Sequence, residues 1–166
     1  MTYRCSTCGE SHDDLPDMGA DRPDHWWNVP AEERDQRIEL TSDTCIIDDE
    51  HFFVRGVIEI PVHDYSRRFG IGAWVSQKRE NFFVYQDNLD SSEIGPFFGW
   101  LCTRVAFYEK DTLNLKTMVH FKGRGLRPSI GLEETNHPLS LDQHHGILLA
   151  RAWEIVHFYM KPGEES

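Results

Sequence analysis

From residue 44 onward, short apolar runs alternate with turn residues in the pattern of β-strands. Thr44–Asp48 and His51–Val62 read as two strands joined by a hairpin turn at Asp48-Asp49-Glu50, and Gly56 is expected to mark a bulge. After a turn at His63–Arg68, Phe69–Val75 is the next strand. Ser76 is placed to cap a helix through Gln77–Asn88, with Phe82, Phe83 and Tyr85 toward its buried side. Gly95-Pro96 breaks the chain before an apolar strand at Phe97–Val105. Leu113–Phe121 and Leu126–Glu133 read as a hairpin around Lys122-Gly123-Arg124-Gly125. Ser140-Leu141-Asp142-Gln143 has the capping-box spacing, and a last helix is expected over Ile147–Met160, ended by Lys161-Pro162-Gly163. Strands in a run, with the last helix after them, predict an α+β fold: a mainly antiparallel sheet of five or six strands with the C-terminal helix on one face.

The first third reads differently. Residues 1–29 are rich in breakers (Pro16, Gly19, Pro23) and poor in core-forming positions; Trp26-Trp27 is expected to fold this loop back onto the domain. Pro30–Leu40 reads as one short helix, with Pro30 and the carboxylates of Glu32 and Glu33 suited to its first turn. The expected organisation is one domain, with an acidic, metal-bearing segment over 1–45 and an α+β core over 46–161.

The chain has 166 residues and a net charge of −11, unevenly spread. Residues 1–50 carry Arg4, Arg22, Arg34 and Arg37 against 14 acidic side chains, whereas residues 51–166 carry 13 basic and 14 acidic ones. A surface of this sign is repelled by nucleic-acid phosphate and by anionic lipid, so neither is an expected partner. It suits solubility, a basic protein partner, or mimicry of a phosphate backbone. With no apolar leader and no run of about 20 apolar residues, the expected setting is the cytoplasm.

The cysteines carry the most specific chemistry. Cys5-Ser6-Thr7-Cys8-Gly9 opens the chain, and two thiolates spaced by two residues turn onto one ion when a glycine relieves the backbone after the second. A tetrahedral zinc site needs four ligands. The expected set is Cys5, Cys8, His12 and Cys45, with His25 and His51 as competitors for the fourth place. Cys102, inside an apolar run, is expected to be a small core residue. Metal would supply order where an apolar core is lacking.

Templates for catalysis are sparse. There is no Gly-x-Ser-x-Gly elbow, no phosphate-binding Gly-x-x-x-x-Gly-Lys-Ser/Thr loop and no His-Glu-x-x-His. A small metal-dependent enzyme would have to bring His120, His137, His144 and His145 together. The non-catalytic expectation is a zinc-stabilised protein-interaction or regulatory module, of immunity type.

Several segments resemble a bacterial family catalogued as domain of unknown function 2199. They are Cys5-x-x-Cys8-Gly9-x-x-His12, Phe53-Val54-Arg55-Gly56, Trp74-Val75-Ser76, Phe98-Gly99-Trp100-Leu101, Asp111–Lys116, and Arg127-Pro128 through Thr135-x-His137-Pro138-Leu139. They run in order over most of the chain to about residue 150. The resemblance implies a small soluble bacterial domain and assigns no reaction.

Chelation is expected to melt residues 1–45 and to lower the thermal midpoint, because a thiolate site contributes several kcal/mol, comparable to the whole stability of a small domain. Metal analysis checks it. One zinc per chain, lost in Cys5→Ser and kept in His137→Ala, marks a purely structural site. A second metal lost in His137→Ala marks the enzyme instead.

Overall fold

The computed structural model describes residues 15–160, together with the backbone of Tyr3–Arg4 and Ser11–His12. Tyr3–Arg4 (β1) and Ser11–His12 (β2) pair antiparallel, with Arg4 opposite Ser11. The first third then contributes Met18–Gly19 (β3), two 3-10 turns at Asp24–Asn28 and Ala31–Glu33, Arg34–Arg37 (α1) and Ile38–Leu40 (β4). Thr44–Ile47 (β5), His51–Ile60 (β6) and Phe69–Gln77 (β7) form a meander. Arg79–Asp87 (α2) leads to Phe97–Trp100 (β8), Lys116–His120 (β9) and Ser129–Leu132 (β10). Pro138–His145 (α3) and Leu149–Met160 (α4) follow.

The α+β expectation holds, but the sheet is mixed, with eight strands rather than five or six antiparallel ones. β3 runs parallel to β7, and β10 runs parallel to β6. Short hairpins force antiparallel neighbours; the connections β3 to β7 and β6 to β10 are long and force no direction. Pro30–Leu40 is also not one helix. The helix stops at Arg37, and Ile38–Leu40 becomes an edge strand on β5, with Leu40 opposite Cys45. β-branched Ile38 and apolar Leu40 gain more by packing on the sheet than by prolonging a short exposed helix.

Alternation along the two long strands divides the interior. On β6 and β7 the residues Val54, Ile58, Ile60, Ile71, Ala73 and Val75 point to the main core, which also receives Leu101, Val119 and Ile130 and the buried face of α4. The opposite face presents Phe53 and Trp74, which pack with Cys45, Cys102, Val29 and Ile47 in a second cluster beneath the first third. Tethers hold that layer down: Trp74 Nε1 donates to Ala20 O (3.1 Å), and Asp24 N to Cys102 O (2.9 Å). Gly56 is not a bulge, since β6 and β7 stay in continuous register through Gly56–Ala73. Its missing side chain lets Pro128 O come close, and a Cβ there would stand 2.8 Å from it.

The sheet curls until β8 meets β7 again. Leu101 bridges Val75 antiparallel, Cys102 N donates to Trp74 O (2.7 Å), and Trp100 N donates to the Ser76 hydroxyl (3.1 Å). Gly99 makes this approach possible. A Cβ there would collide with Ser76 O and stand 2.9 Å from Gln77 Nε2. On the other side of the ring, parallel β6 and β10 share one Cα pair, Val57–Ser129. Gln143 of α3 bridges their divergence, donating to Ile130 O (2.9 Å) and Glu59 O (3.3 Å) and accepting from Leu132 N (2.7 Å).

Two helix starts differ from expectation. Lys78, not Ser76, precedes α2 and offers no side-chain cap, because Ser76 remains in β7. α3 begins at Pro138 with His137 as its cap, so Ser140 lies inside the helix, where its hydroxyl donates to Glu133 O (2.8 Å).

Gly99→Ala is expected to destabilise the fold by about 1–3 kcal/mol, as overpacking against fixed backbone does. Gly131→Ala, whose Cβ would meet only ordinary contacts at 3.7 Å, should shift stability by less than about 0.5 kcal/mol. Urea titrations of the two variants check the contrast.

Candidate functional site

The closure of β8 on β7 leaves a cleft of about 300 Å³ at its outer end. The end of β7 supplies Ser76 and Gln77, and β8 with its continuation supplies Trp100 and Cys102. The β5–β6 turn brings Glu50, the start of β6 brings His51, and the first 3-10 turn brings His25. Phe53 forms part of the wall, with the His25 ring 5.2 Å from its own.

Two polar atoms here are buried without a hydrogen-bond partner, Gln77 Oε1 and His25 Nδ1. Gln77 is only 7% exposed. Its Nε2 donates to Ser76 O (2.9 Å) and Phe98 O (3.1 Å), and these two carbonyls fix which way the amide faces. Oε1 is therefore fixed as an acceptor that no protein group fills. Burial, reinforced by nearby His51, pulls the His25 pKa below its ordinary 6.5, so the ring is neutral at pH 7. The Cys102 thiol donates to Trp100 O (3.2 Å), and burial pushes its pKa up to about 12. It stays protonated, so it packs rather than attacks.

Of the expected zinc ligands, Cys5 and Cys8 lie outside the described residues. His12 pairs with Tyr3 through its backbone, and its side chain is outside the description. Cys45 is fully buried in the second cluster between apolar neighbours, and burial pushes its thiol up to about 12. Among the described residues, no group of three or more His, Cys, Asp or Glu side chains is arranged to hold a metal. His25 and His51, weighed as competitors, share the cleft.

The four histidines of the enzyme alternative do not converge. His120 and His144 line a separate groove of about 360 Å³ with Phe98, Met118 and Leu132, where His144 Nε2 donates to Leu132 O (2.7 Å). His137 is buried and occupied: Nδ1 accepts from Leu139 N (3.0 Å), while Nε2 donates toward Lys110 O and Asp111 O (3.1 and 3.0 Å). It caps α3 and pins the 110–111 loop. His145 contributes its carbonyl, which accepts from His63 Nε2 (2.8 Å). Sequence reasoning missed Gln77 and Trp100 as site residues. The one clue was parity, since Gln77 is a polar residue on the inward-facing positions of β7, after Ala73 and Val75.

A family described as an uncharacterized protein conserved in bacteria (DUF2199) matches residues 4–147, and the chain belongs to it. No curated protein and no solved structure matches the chain. Among the described residues, no helix is long and apolar enough to cross a membrane.

A histidine whose folded pKa is depressed favours folding when neutral. Its contribution is complete above the unfolded value of 6.5 and is lost as pH falls below it, because the unfolded chain takes the proton first. The thermal midpoint should therefore drop between about pH 7.5 and 5.5, and His25→Gln should remove part of that drop. Parallel pH series of melting curves test it, and an unchanged slope in the variant would contradict it.

Proposed function

We propose that the protein is a non-catalytic, zinc-stabilised interaction module of regulatory type, acting in the cytoplasm, whose acidic first third docks a basic protein partner. The observation that carries this is a set of uncompensated carboxylates. Glu32, Asp35, Glu39, Asp49 and Glu50 are all exposed, and none has a cationic partner among the described residues. They sit on structurally adjacent pieces: the second 3-10 turn, α1, edge strand β4 and the β5–β6 turn. β4 pairs with β5, and Asp48 N donates to Arg37 O (2.8 Å), which ties that turn to α1. Other acids of the layer are spent internally, as where Arg37 bonds both Glu33 and Asp48 at 2.7 Å.

Trp27 supplies an apolar anchor beside this charge. It is 64% exposed, so it does not fold the loop back as the sequence suggests. Val29, in the second cluster, and the His25 ring, 5.2 Å from Phe53, hold this loop to the sheet, while Trp26 lies between the guanidinium groups of Arg22 (4.3 Å) and Arg34 (3.8 Å) and edge-on to Trp27 (4.6 Å). Exposed tryptophan within complementary charge is the composition of an interface anchor. The non-catalytic reading is supported by the spent His137 ring and the protonated, buried thiols. The zinc reading is supported by the pairing of Arg4 with Ser11, which sets the two ends of the segment holding Cys5 and Cys8 opposite each other.

A decalysine peptide is the defined probe. It should bind the wild-type chain in a salt-sensitive way, and duplex DNA should not bind. The triple variant Glu32→Gln, Asp35→Asn, Glu39→Gln, and separately Trp27→Ala, should each weaken binding about tenfold, which is about 1.4 kcal/mol. Affinities that ignore both salt and these substitutions would contradict the reading.

A further inference from the structure

We propose that the cleft between β7 and β8 takes the guanidinium of an arginine presented by the basic partner. This rests on the docking role of the acidic first third, and it assigns a recognition pocket at that layer's margin. Acceptors stand out in the cleft wall, beside the His25 and His51 rings and the Asn114 amide, which can also donate. Gln77 Oε1 is fixed as an acceptor, because Nε2 is engaged by two carbonyls, and it lacks a partner. His25 Nδ1 is buried and also unpartnered. Glu50 brings a carboxylate with no cation paired to it among the described residues. Phe53 and Trp100 add aromatic surface.

A guanidinium is the side-chain group made for such surroundings. It is planar, carries five N–H donors and no acceptor, is weakly hydrated, and stacks on aromatic rings. A lysine ammonium is more strongly hydrated and does not stack in this way. A phosphate or carboxylate meets no lysine or arginine among the residues lining the cleft and is repelled by Glu50. The chain itself holds a guanidinium by the same combination next door: Arg79 lies 4.8 Å over the ring of Phe52 and donates to Asp49 O (2.6 Å). The volume, about 300 Å³, lies at the small end of ligand cavities and suits one side-chain head with part of its stem.

The test uses the full chain and three small probes: the N-acetyl amides of arginine, lysine and citrulline. Citrulline keeps the planar shape without the charge. NMR signals of the His25 and His51 rings and the Trp100 indole report occupancy. The arginine probe should shift them saturably, with the lysine and citrulline probes at least about tenfold weaker. Glu50→Gln, at an exposed turn, should weaken the arginine probe several-fold without altering the melting curve. Gln77→Met should do the same, and if it fails to fold, Glu50→Gln decides. Equal shifts from all three probes, no saturable shift, or no effect of Glu50→Gln would each overturn the pocket. Decalysine binding separates the levels. If it persists while the arginine probe fails, only the pocket falls; if both fail, the docking surface falls with it.

Discussion

The return of β8 to β7 is the constraint on which the rest of the structure depends. A strand already paired with β9 on one edge uses its other edge, and the chain just beyond it, to bond β7. That double engagement converts an open sheet into a closed ring around the main core. It requires backbone to pass within reach of Ser76 O, and the absence of a side chain at Gly99 permits it. The same contact has consequences on the outer face. It carries Cys102 beneath the first third, where its carbonyl receives Asp24 N, and the loop bearing His25 is anchored by that bond. Closure, second cluster and cleft are thus one mechanical unit.

Much of the core architecture was legible because alternation is a local signal. The β5–β6 hairpin, the β9–β10 hairpin and the apolar face of α4 each follow from period-2 or period-3.6 patterning within a few residues. What escaped the sequence was what depends on distant partners. Nothing in Pro30–Leu40 announces that its last three residues find an edge on β5, since that edge exists only after β5 folds. The parallel pairing of β6 with β10 is likewise decided by long connections. The helix caps failed for a related reason: Ser76 and Ser140 have the right chemistry, but neighbouring structure had already assigned each to another partner.

The candidate site was legible only in fragments. His25 and His51 were visible as ligating side chains, but which other groups would join them was not. Gln77 becomes informative only when its two carbonyl partners are seen, because they leave its Oε1 as a buried acceptor without a protein partner in a residue of the cleft wall. Conversely, the histidines after residue 119 looked like a cluster in sequence and are dispersed in space. His137 shows why histidine counts mislead: a ring that caps a helix and pins a loop has no lone pair or proton to spare. Charge fared better than chemistry, since an acidic excess survives folding wherever the carboxylates stay on the surface and few cations are near.

The central claim, that β8 closes the sheet on β7 and thereby carries the first third and its cleft, is tested most directly by native-state amide hydrogen exchange. The account predicts that Leu101 and Cys102 amides, bonded to Leu115 O and Trp74 O, exchange only through the same global opening as the β6–β7 ladder. Exchange of these amides at the rate of an open loop, while the β6–β7 ladder stays protected, would contradict it.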